Sequence, residues 1–163
     1  MWKKFLTDEL YYVKGLMTWK AFHDALVKYQ GDMVEACFHF RIPSHGAPTP
    51  YNTHPWIAND WAVMHNGVIR ELGDDQHTSD TERFSLAIQD IAYATMLKPD
   101  FQALLNIGSS RVVLMHTHQP TIILNEQYGV YRRPNVWFSN EYDNCVSHQH
   151  FVGAGVIEPR NKS

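Results

Sequence analysis

The chain has 163 residues, 44% of them hydrophobic and 13% aromatic, which suits one domain with a real core and excludes a disordered chain. A net charge of −3 gives no basic surface for nucleic acid or for an anionic membrane. Two widely separated cysteines form no disulfide framework, and no apolar run approaches the roughly 20 residues that cross a bilayer, so we expect a cytoplasmic protein.

The N-terminal part predicts a β-hairpin followed by a helix. Apolar segments at 2–7 and 10–13 flank two acidic residues, a pattern typical of a hairpin. Thr18 is a candidate N-cap for a helix that runs to about residue 29. Apolar side chains recur there at three- and four-residue steps, and we expect this face to pack on the core. Its members are Trp19, Phe22, Ala25, Leu26 and Tyr29.

Two predicted strands end in polar side chains. The apolar run 33–40 predicts a buried strand, and Arg41 follows it, where a guanidinium can bind a carboxylate through two hydrogen bonds. The run 61–65 predicts a second strand that leads into Asn66 and Gly67. This pair favours a tight hairpin turn, because both residues tolerate positive φ. The alternative is an oxyanion site, in which the Asn amide and a Gly backbone N–H face developing negative charge.

The second half of the chain predicts two helices and three strands. Ser79 or Asp80 starts an apolar-periodic helix over 80–97 that ends before Pro99, and a short helix over 101–106 follows. Dense β-branched, leucine and aromatic content predicts buried strands at 111–115, 121–124 and 136–139. We expect one domain over residues 1–150. Residues 151–163 form either a loose tail or a short strand at a sheet edge.

Ten histidines raise the question of a zinc site. His116 and His118, like His148 and His150, place two imidazoles on one face of an extended segment. No paired cysteine or HExxH spacing accompanies them, so we expect no metal and no cofactor.

Four short motifs in a fixed order carry a resemblance to a known family. They are H-x-R-x-x-S-H-G at 39–46, N-x-H-P-W at 52–56, H-N-G-x-I at 65–69 and S-D-T-E at 79–82. This order resembles the class II glutamine amidotransferase domain, an N-terminal-nucleophile hydrolase, and is most similar to the small stand-alone forms of bacteria and their phages. The resemblance covers about 11–142, including a strand that ends in a Ser-Asn pair. It implies an α+β fold, an α-β-β-α sandwich of mostly antiparallel sheets, incomplete at its N-terminal strand.

The resemblance also assigns roles to single residues. Asn66 and Gly67 match the oxyanion pair of the family, and Asp80 matches the aspartate that receives the glutamine α-amino group. One loop would line the glutamine α-carboxylate, with the arginine that holds it, a serine in place of the usual threonine, and a histidine: Arg41, Ser44 and His45.

The nucleophile of the family does not match this chain. The family uses an N-terminal cysteine whose own α-amino group is the base, whereas this chain begins with Met1. Cys37 lies inside an apolar strand and is expected to be a buried structural thiol, and Cys145 lies beyond the resemblance. With the first strand of the family absent, the hairpin at 2–13 is expected to begin at an unpaired sheet edge, which invites pairing with another chain.

Three functions remain open on the sequence. The first is a pseudoenzyme that retains the glutamine pocket and binds glutamine, a related small amide or a partner. The second is an active glutaminase or amidotransferase whose catalytic cysteine lies upstream or on another chain. The third is a phage-type interaction protein that acts on a host protein, or a homo-oligomer, through the exposed sheet edge and aromatic side chains.

Overall fold

The computed structural model describes residues 1–4, 7, 9–40, 49–72 and 78–140, together with the backbone of 155–157. The fold is mixed α+β with two antiparallel sheets. The helices are α1 (Trp19–Tyr29), α2 (Asp80–Ile88), α3 (Tyr93–Met96) and α4 (Pro99–Leu104). The strands are β1 (Trp2–Lys4), β2 (Leu10–Tyr11), β3 (Met33–Phe38), β4 (Trp56–Ala58), β5 (Trp61–Asn66), β6 (Arg111–His116), β7 (Ile122–Leu124), β8 (Val130–Arg133), β9 (Val136–Phe138) and β10 (Gly155–Ile157). One sheet has the order β2-β1-β3-β10-β9-β8 and the other β4-β5-β6-β7.

The alternation of side chains along β5 and β6 sets the packing of the layers. Val63 and Leu114 belong to a buried cluster that includes Phe84 and Ile88 of α2, so this face of the four-stranded sheet is covered by helices. The alternate residues pack against the six-stranded sheet in a second cluster, made of Met1, Cys37, Ala62, Met64, Val113, Met115 and Trp137. The four-stranded sheet is therefore buried on both faces.

The N-terminal strand lies inside its sheet, and the expected unpaired edge at the first strand is wrong. Trp2 of β1 pairs with Tyr11 on one side and with Ala36 on the other. The Met1 carbonyl also accepts from the Cys37 backbone N–H at 2.9 Å. Among the described residues, the edges of this sheet are the two-residue β2 and the exposed β8.

The segment expected to be a tail or an edge strand contributes β10. Its backbone pairs antiparallel with β3 on one side, Val156 with Cys37, and with β9 on the other, Val156 with Trp137. This strand lies in the middle of the six-stranded sheet.

Helix α1 begins as predicted but packs less deeply than expected. The Thr18 hydroxyl oxygen accepts from the Ala21 N–H at 3.2 Å, which confirms the predicted N-cap. Phe22 and Tyr29 contact aromatic rings of the sheet, with ring centroids 5.5 Å from Phe38 and 4.8 Å from Trp2. No residue of α1 is fully buried, and Trp19 is 61% exposed, so the expected core packing of this face is wrong for Trp19.

The helix expected over 80–97 is interrupted. The Ser79 hydroxyl accepts from the Glu82 N–H at 3.0 Å and caps α2, which ends at Ile88. The amide of Asn59, in the turn between β4 and β5, donates to the Gln89 carbonyl at 3.3 Å and to the Asp90 carboxylate at 2.8 Å. These hydrogen bonds satisfy groups at the C-terminal end of α2, and the chain turns before α3 begins.

The short helix expected over 101–106 begins earlier, at Pro99. Proline suits the first position of a helix because its missing N–H has no intrahelical partner there. Within the described ranges, no helix has the length and apolar character needed to cross a bilayer.

Candidate functional site

Half of the predicted site residues fall in the described part of the chain. Asn66, Gly67 and Asp80 are described, and the structure brings them to one place, where the end of β5 meets the start of α2. The loop residues Arg41, Ser44 and His45 lie outside the described residues.

The Asn66-Gly67 pair does not form a hairpin turn. Strand β5 ends at Asn66, opposite Arg111, and the chain then passes through an irregular segment into a single 3-10 turn at Arg70–Leu72. Gly67 has φ of +137°, and a Cβ at this position would lie 2.5 Å from the Ser110 Oγ and 2.9 Å from the Ser110 Cα. The position therefore requires glycine both for its backbone conformation and for the close approach of Ser110.

A buried serine orients the Asn66 side chain. The Asn66 Nδ2 donates to the Ser139 Oγ at 2.7 Å, and Ser139 is fully buried. The Arg111 Nε donates to the Ser139 carbonyl at 2.9 Å, and the same guanidinium donates to the Asn140 side chain. The Ser-Asn pair is part of the resemblance to the family, but no role was predicted for it. In the fold it holds one N–H of the predicted oxyanion amide.

Asp80 is hydrogen-bonded to the irregular segment that follows Gly67. Its Oδ2 accepts from the Ile69 N–H at 2.9 Å, and its Oδ1 accepts from the Thr81 N–H at 2.8 Å. The Asp80 side chain remains 24% exposed. Because a carboxylate has about four lone-pair sites, it can still accept from an ammonium group.

His65 also belongs to the site, although no catalytic or substrate-binding role was predicted for it. It is only 4% exposed, and its Nδ1 lies 3.0 Å from the Thr81 Oγ1 and 3.7 Å from the Asp80 Oδ2. Burial lowers the pKa of His65, the Asp80 charge acts in the opposite direction, and the Arg111 charge adds to the lowering. The ring is therefore neutral at pH 7. Side-chain alternation along β5 could have predicted the burial of His65, because residue 65 lies on the same face of the strand as residues 61 and 63.

The second motif packs against the third. The His65 backbone N–H donates to the His54 Nδ1 at 3.4 Å, and the His54 ring lies against His39, with ring centroids 4.0 Å apart. His54, His65 and Asp80 come from three different motifs of the resemblance, and the fold brings all three together.

The described part of this site has no exposed cysteine. Cys37, the one cysteine in the described ranges, is 0% exposed, and burial raises the pKa of its thiol to about 12. The prediction that the Cys37 thiol is buried is confirmed. Among the described residues, no group of three or more His, Cys, Asp or Glu side chains is placed to hold a metal ion.

One comparison with known proteins gives a short match. Over 34 residues the chain is 61% identical to glutamine–fructose-6-phosphate aminotransferase (isomerizing) of Zymomonas mobilis subsp. mobilis (strain ATCC 31821 / ZM4 / CP4). Those residues are 21% of this chain and 6% of that protein, so the chain spans only a small part of it. No family model and no solved structure matches the chain. The match indicates a region related to glutamine amidotransferases.

Proposed function

We propose that this protein binds glutamine or a related small amide in a pocket of the class II glutamine amidotransferase type, on a fold of the N-terminal-nucleophile hydrolase kind. One observation carries the proposal. The Asp80 carboxylate accepts a hydrogen bond from the Ile69 N–H, two residues beyond Gly67, so an anionic group lies close to the segment that contains Asn66 and Gly67. The short glutamine aminotransferase match supports the same class of ligand.

Two of the three polar groups of glutamine have a partner among the described residues, and the resemblance supplies the third. Asp80 receives the α-ammonium group through a charge-assisted hydrogen bond. The second N–H of the Asn66 amide and the backbone N–H of Gly67 receive the side-chain carbonyl oxygen. Arg41, whose role rests on the resemblance, binds the α-carboxylate bidentately.

We further propose that this chain binds glutamine but does not hydrolyse it. Cys37 cannot serve as the nucleophile. A nucleophilic cysteine must reach the substrate as a thiolate. Cys37 lies between the two sheets with a raised pKa, so it meets neither requirement. This is the pseudoenzyme hypothesis.

Thermal unfolding with added glutamine tests the binding proposal. Glutamine at a hundred times its dissociation constant stabilises the folded state by about 2.7 kcal/mol. We expect this shift in the wild type and its loss in Arg41→Ala and in Asp80→Asn. Arg133→Ala, on the exposed edge strand β8, is the matched control that keeps the shift. The absence of any shift at millimolar glutamine in the wild type would sink the proposal.

A second ligand separates the roles of the two charged residues. Glutaramate has the carboxylate and the amide of glutamine but lacks the α-ammonium group. We expect its weaker binding to be insensitive to Asp80→Asn and still sensitive to Arg41→Ala. Equal loss of glutaramate binding in both variants would contradict the role given to Asp80.

An active amidotransferase is the second candidate, and Gly67 favours it. An oxyanion site is needed to stabilise a tetrahedral intermediate rather than to bind glutamine, and the close approach of Ser110 holds the Gly67 backbone at a φ of +137°, beside the predicted oxyanion amide of Asn66. The catalytic cysteine would then lie on an upstream segment or on another chain. Intact mass and N-terminal sequence of the native product, combined with a glutaminase assay blocked by a thiol-reactive glutamine analogue, decide between the candidates.

A further inference from the structure

We propose that His65 is a positioning residue of this pocket: its ring fixes the Asp80 carboxylate through the Thr81 hydroxyl, and protonation of the ring weakens the binding of an α-ammonium group at Asp80. This inference rests on the proposed function, because it concerns the ligand group that Asp80 receives.

The fold places the His65 ring between β5 and the first turn of α2. Successive residues of a strand point to opposite faces, so Asn66 turns toward Ser139 and His65 turns toward the first turn of α2. The His65 Nδ1 lies 3.0 Å from the Thr81 Oγ1, and that hydroxyl lies 3.4 Å from the Asp80 Oδ1. A neutral ring that carries its proton on Nδ1 donates to the Thr81 oxygen, which leaves the hydroxyl proton free to point at the carboxylate.

The charge state of the ring follows from its surroundings. The His65 Nε2 is buried and has no hydrogen-bond partner within the described part of the chain. Protonating the ring would create a buried donor there, which is costly. The groups that act on the ring are Asp80 of α2, which raises its pKa, and Arg111 of β6, which lowers it, while His54 contacts the His65 backbone. Burial outweighs Asp80, so the neutral ring is the resting form.

The protonated ring and the ligand compete for one carboxylate. A protonated His65 ring, 3.7 Å from the Asp80 Oδ2, and a ligand ammonium group are both drawn to the same negative charge. Linkage between two sites is reciprocal. Bound glutamine therefore lowers the pKa of His65 further, and protonation of His65 lowers the affinity for glutamine by the same factor. Glutaramate has no ammonium group and is expected to show neither effect.

The coupling between His65 and Asp80 can be measured without any ligand. We expect an NMR titration of the His65 ring to give a lower pKa in Asp80→Asn than in the wild type, because the variant removes the charge that favours the ring cation. The same His65 pKa in both proteins would overturn the inference. This readout does not depend on glutamine binding.

The effect on the ligand is then measured as a change in affinity with pH. Glutamine binding is compared at about pH 7.5 and at about one unit below the His65 pKa found by titration. We expect the wild type to lose affinity about fivefold or more at the lower pH. His65→Asn keeps a side-chain amide near Thr81, but this amide does not titrate. We expect the loss of glutamine affinity between the two pH values to be less than half as large in this variant as in the wild type.

Two variants at Thr81 test the hydroxyl bridge separately. Thr81→Ser keeps the hydroxyl and is expected to retain glutamine affinity at neutral pH, whereas Thr81→Val removes it at constant shape and is expected to weaken binding. Equal pH dependence in the wild type and His65→Asn, or equal affinity in the two Thr81 variants, overturns the inference but leaves the proposed function standing. No glutamine binding at either pH, together with a measured His65–Asp80 coupling, overturns the proposed function instead.

Discussion

Gly67 is the residue whose conformation is most constrained at this site. An alanine there would have to adopt a φ of +137° and would bring its Cβ to 2.5 Å from the Ser110 Oγ and 2.9 Å from the Ser110 Cα. The second contact is with backbone, which cannot rotate away. We therefore expect Gly67→Ala to lower the free energy of unfolding by about 3 kcal/mol, from backbone strain and overpacking together. Urea unfolding measures this change.

Gly31 provides the control for that substitution. A Cβ added at Gly31 meets nothing within 4 Å, and the residue has no positive φ. Gly31→Ala should therefore change the free energy of unfolding by no more than about 1 kcal/mol, and the change can be stabilising because alanine restricts the unfolded chain. Similar losses in the two variants would mean that the close approach to Ser110 is wrong.

Cys37 should be chemically silent in the folded protein. Its thiol is fully buried and has a pKa of about 12, so the thiolate fraction near pH 8 is on the order of one in ten thousand. We expect iodoacetamide to leave Cys37 unmodified in the native protein and to alkylate it in urea, as judged by mass spectrometry of the peptide that contains it. Rapid native alkylation at Cys37 would show that the two sheets open at this position.

At the scale of elements, the sequence predicted the strands with dense apolar content and missed two short strands without it. Strands β5 and β6 each have six residues and lie at the predicted positions. Strands β7 and β9 have only three residues each but were predicted from their isoleucine, leucine and aromatic content. Strands β4 and β8 are similarly short and were missed, because β4 directly follows a proline-rich loop and half of β8 is arginine. The break between α2 and α3 was missed for another reason. Asn59 and Trp61 donate hydrogen bonds to carbonyls at that break from a distant hairpin, and no local pattern contains that information.

The hairpin that supplies Asn59 gives a prediction at this scale. Asn59 has φ of 50°, so Asn59→Gly keeps the backbone conformation and removes only the two side-chain hydrogen bonds to Gln89 and Asp90. We expect a loss of about 1–2 kcal/mol in the free energy of unfolding. Asn106 has a similar φ of 46°, and its side chain makes no hydrogen bond within the described part of the chain, so Asn106→Gly is the matched control. Equal effects of the two variants would mean that the capping interaction contributes nothing.

At the scale of the whole molecule, the site was predictable as a set of residues but not as a network. Asn66, Gly67 and Asp80 were chosen from motif order, and the fold brings them together. The roles of His65 and Ser139 were not predicted, because they depend on which face of β5 packs against the helices and which against the other sheet. Residue 65 faces the helices and residue 66 faces the other sheet, and that arrangement exists only once two sheets and a helix have packed. Side-chain alternation gives the faces of a strand, and the tertiary fold gives their partners.

Burial of His65 between a sheet and a helix makes the stability of the whole fold depend on pH. Desolvation lowers the pKa of His65 from 6.5 in the folded protein. In the pH window between the lowered pKa and 6.5, the unfolded chain therefore binds more protons than the native protein. The contribution of neutral His65 to the free energy of unfolding is fully present above pH 6.5 and is lost as the pH falls through this window. We expect urea unfolding to show a smaller loss between about pH 7.5 and pH 5.5 in His65→Asn than in the wild type. His118→Asn, at an exposed histidine, should keep the wild-type loss. If the wild type and both variants lose stability equally, the neutral buried state of His65 is wrong, and the competition proposed for Asp80 fails with it.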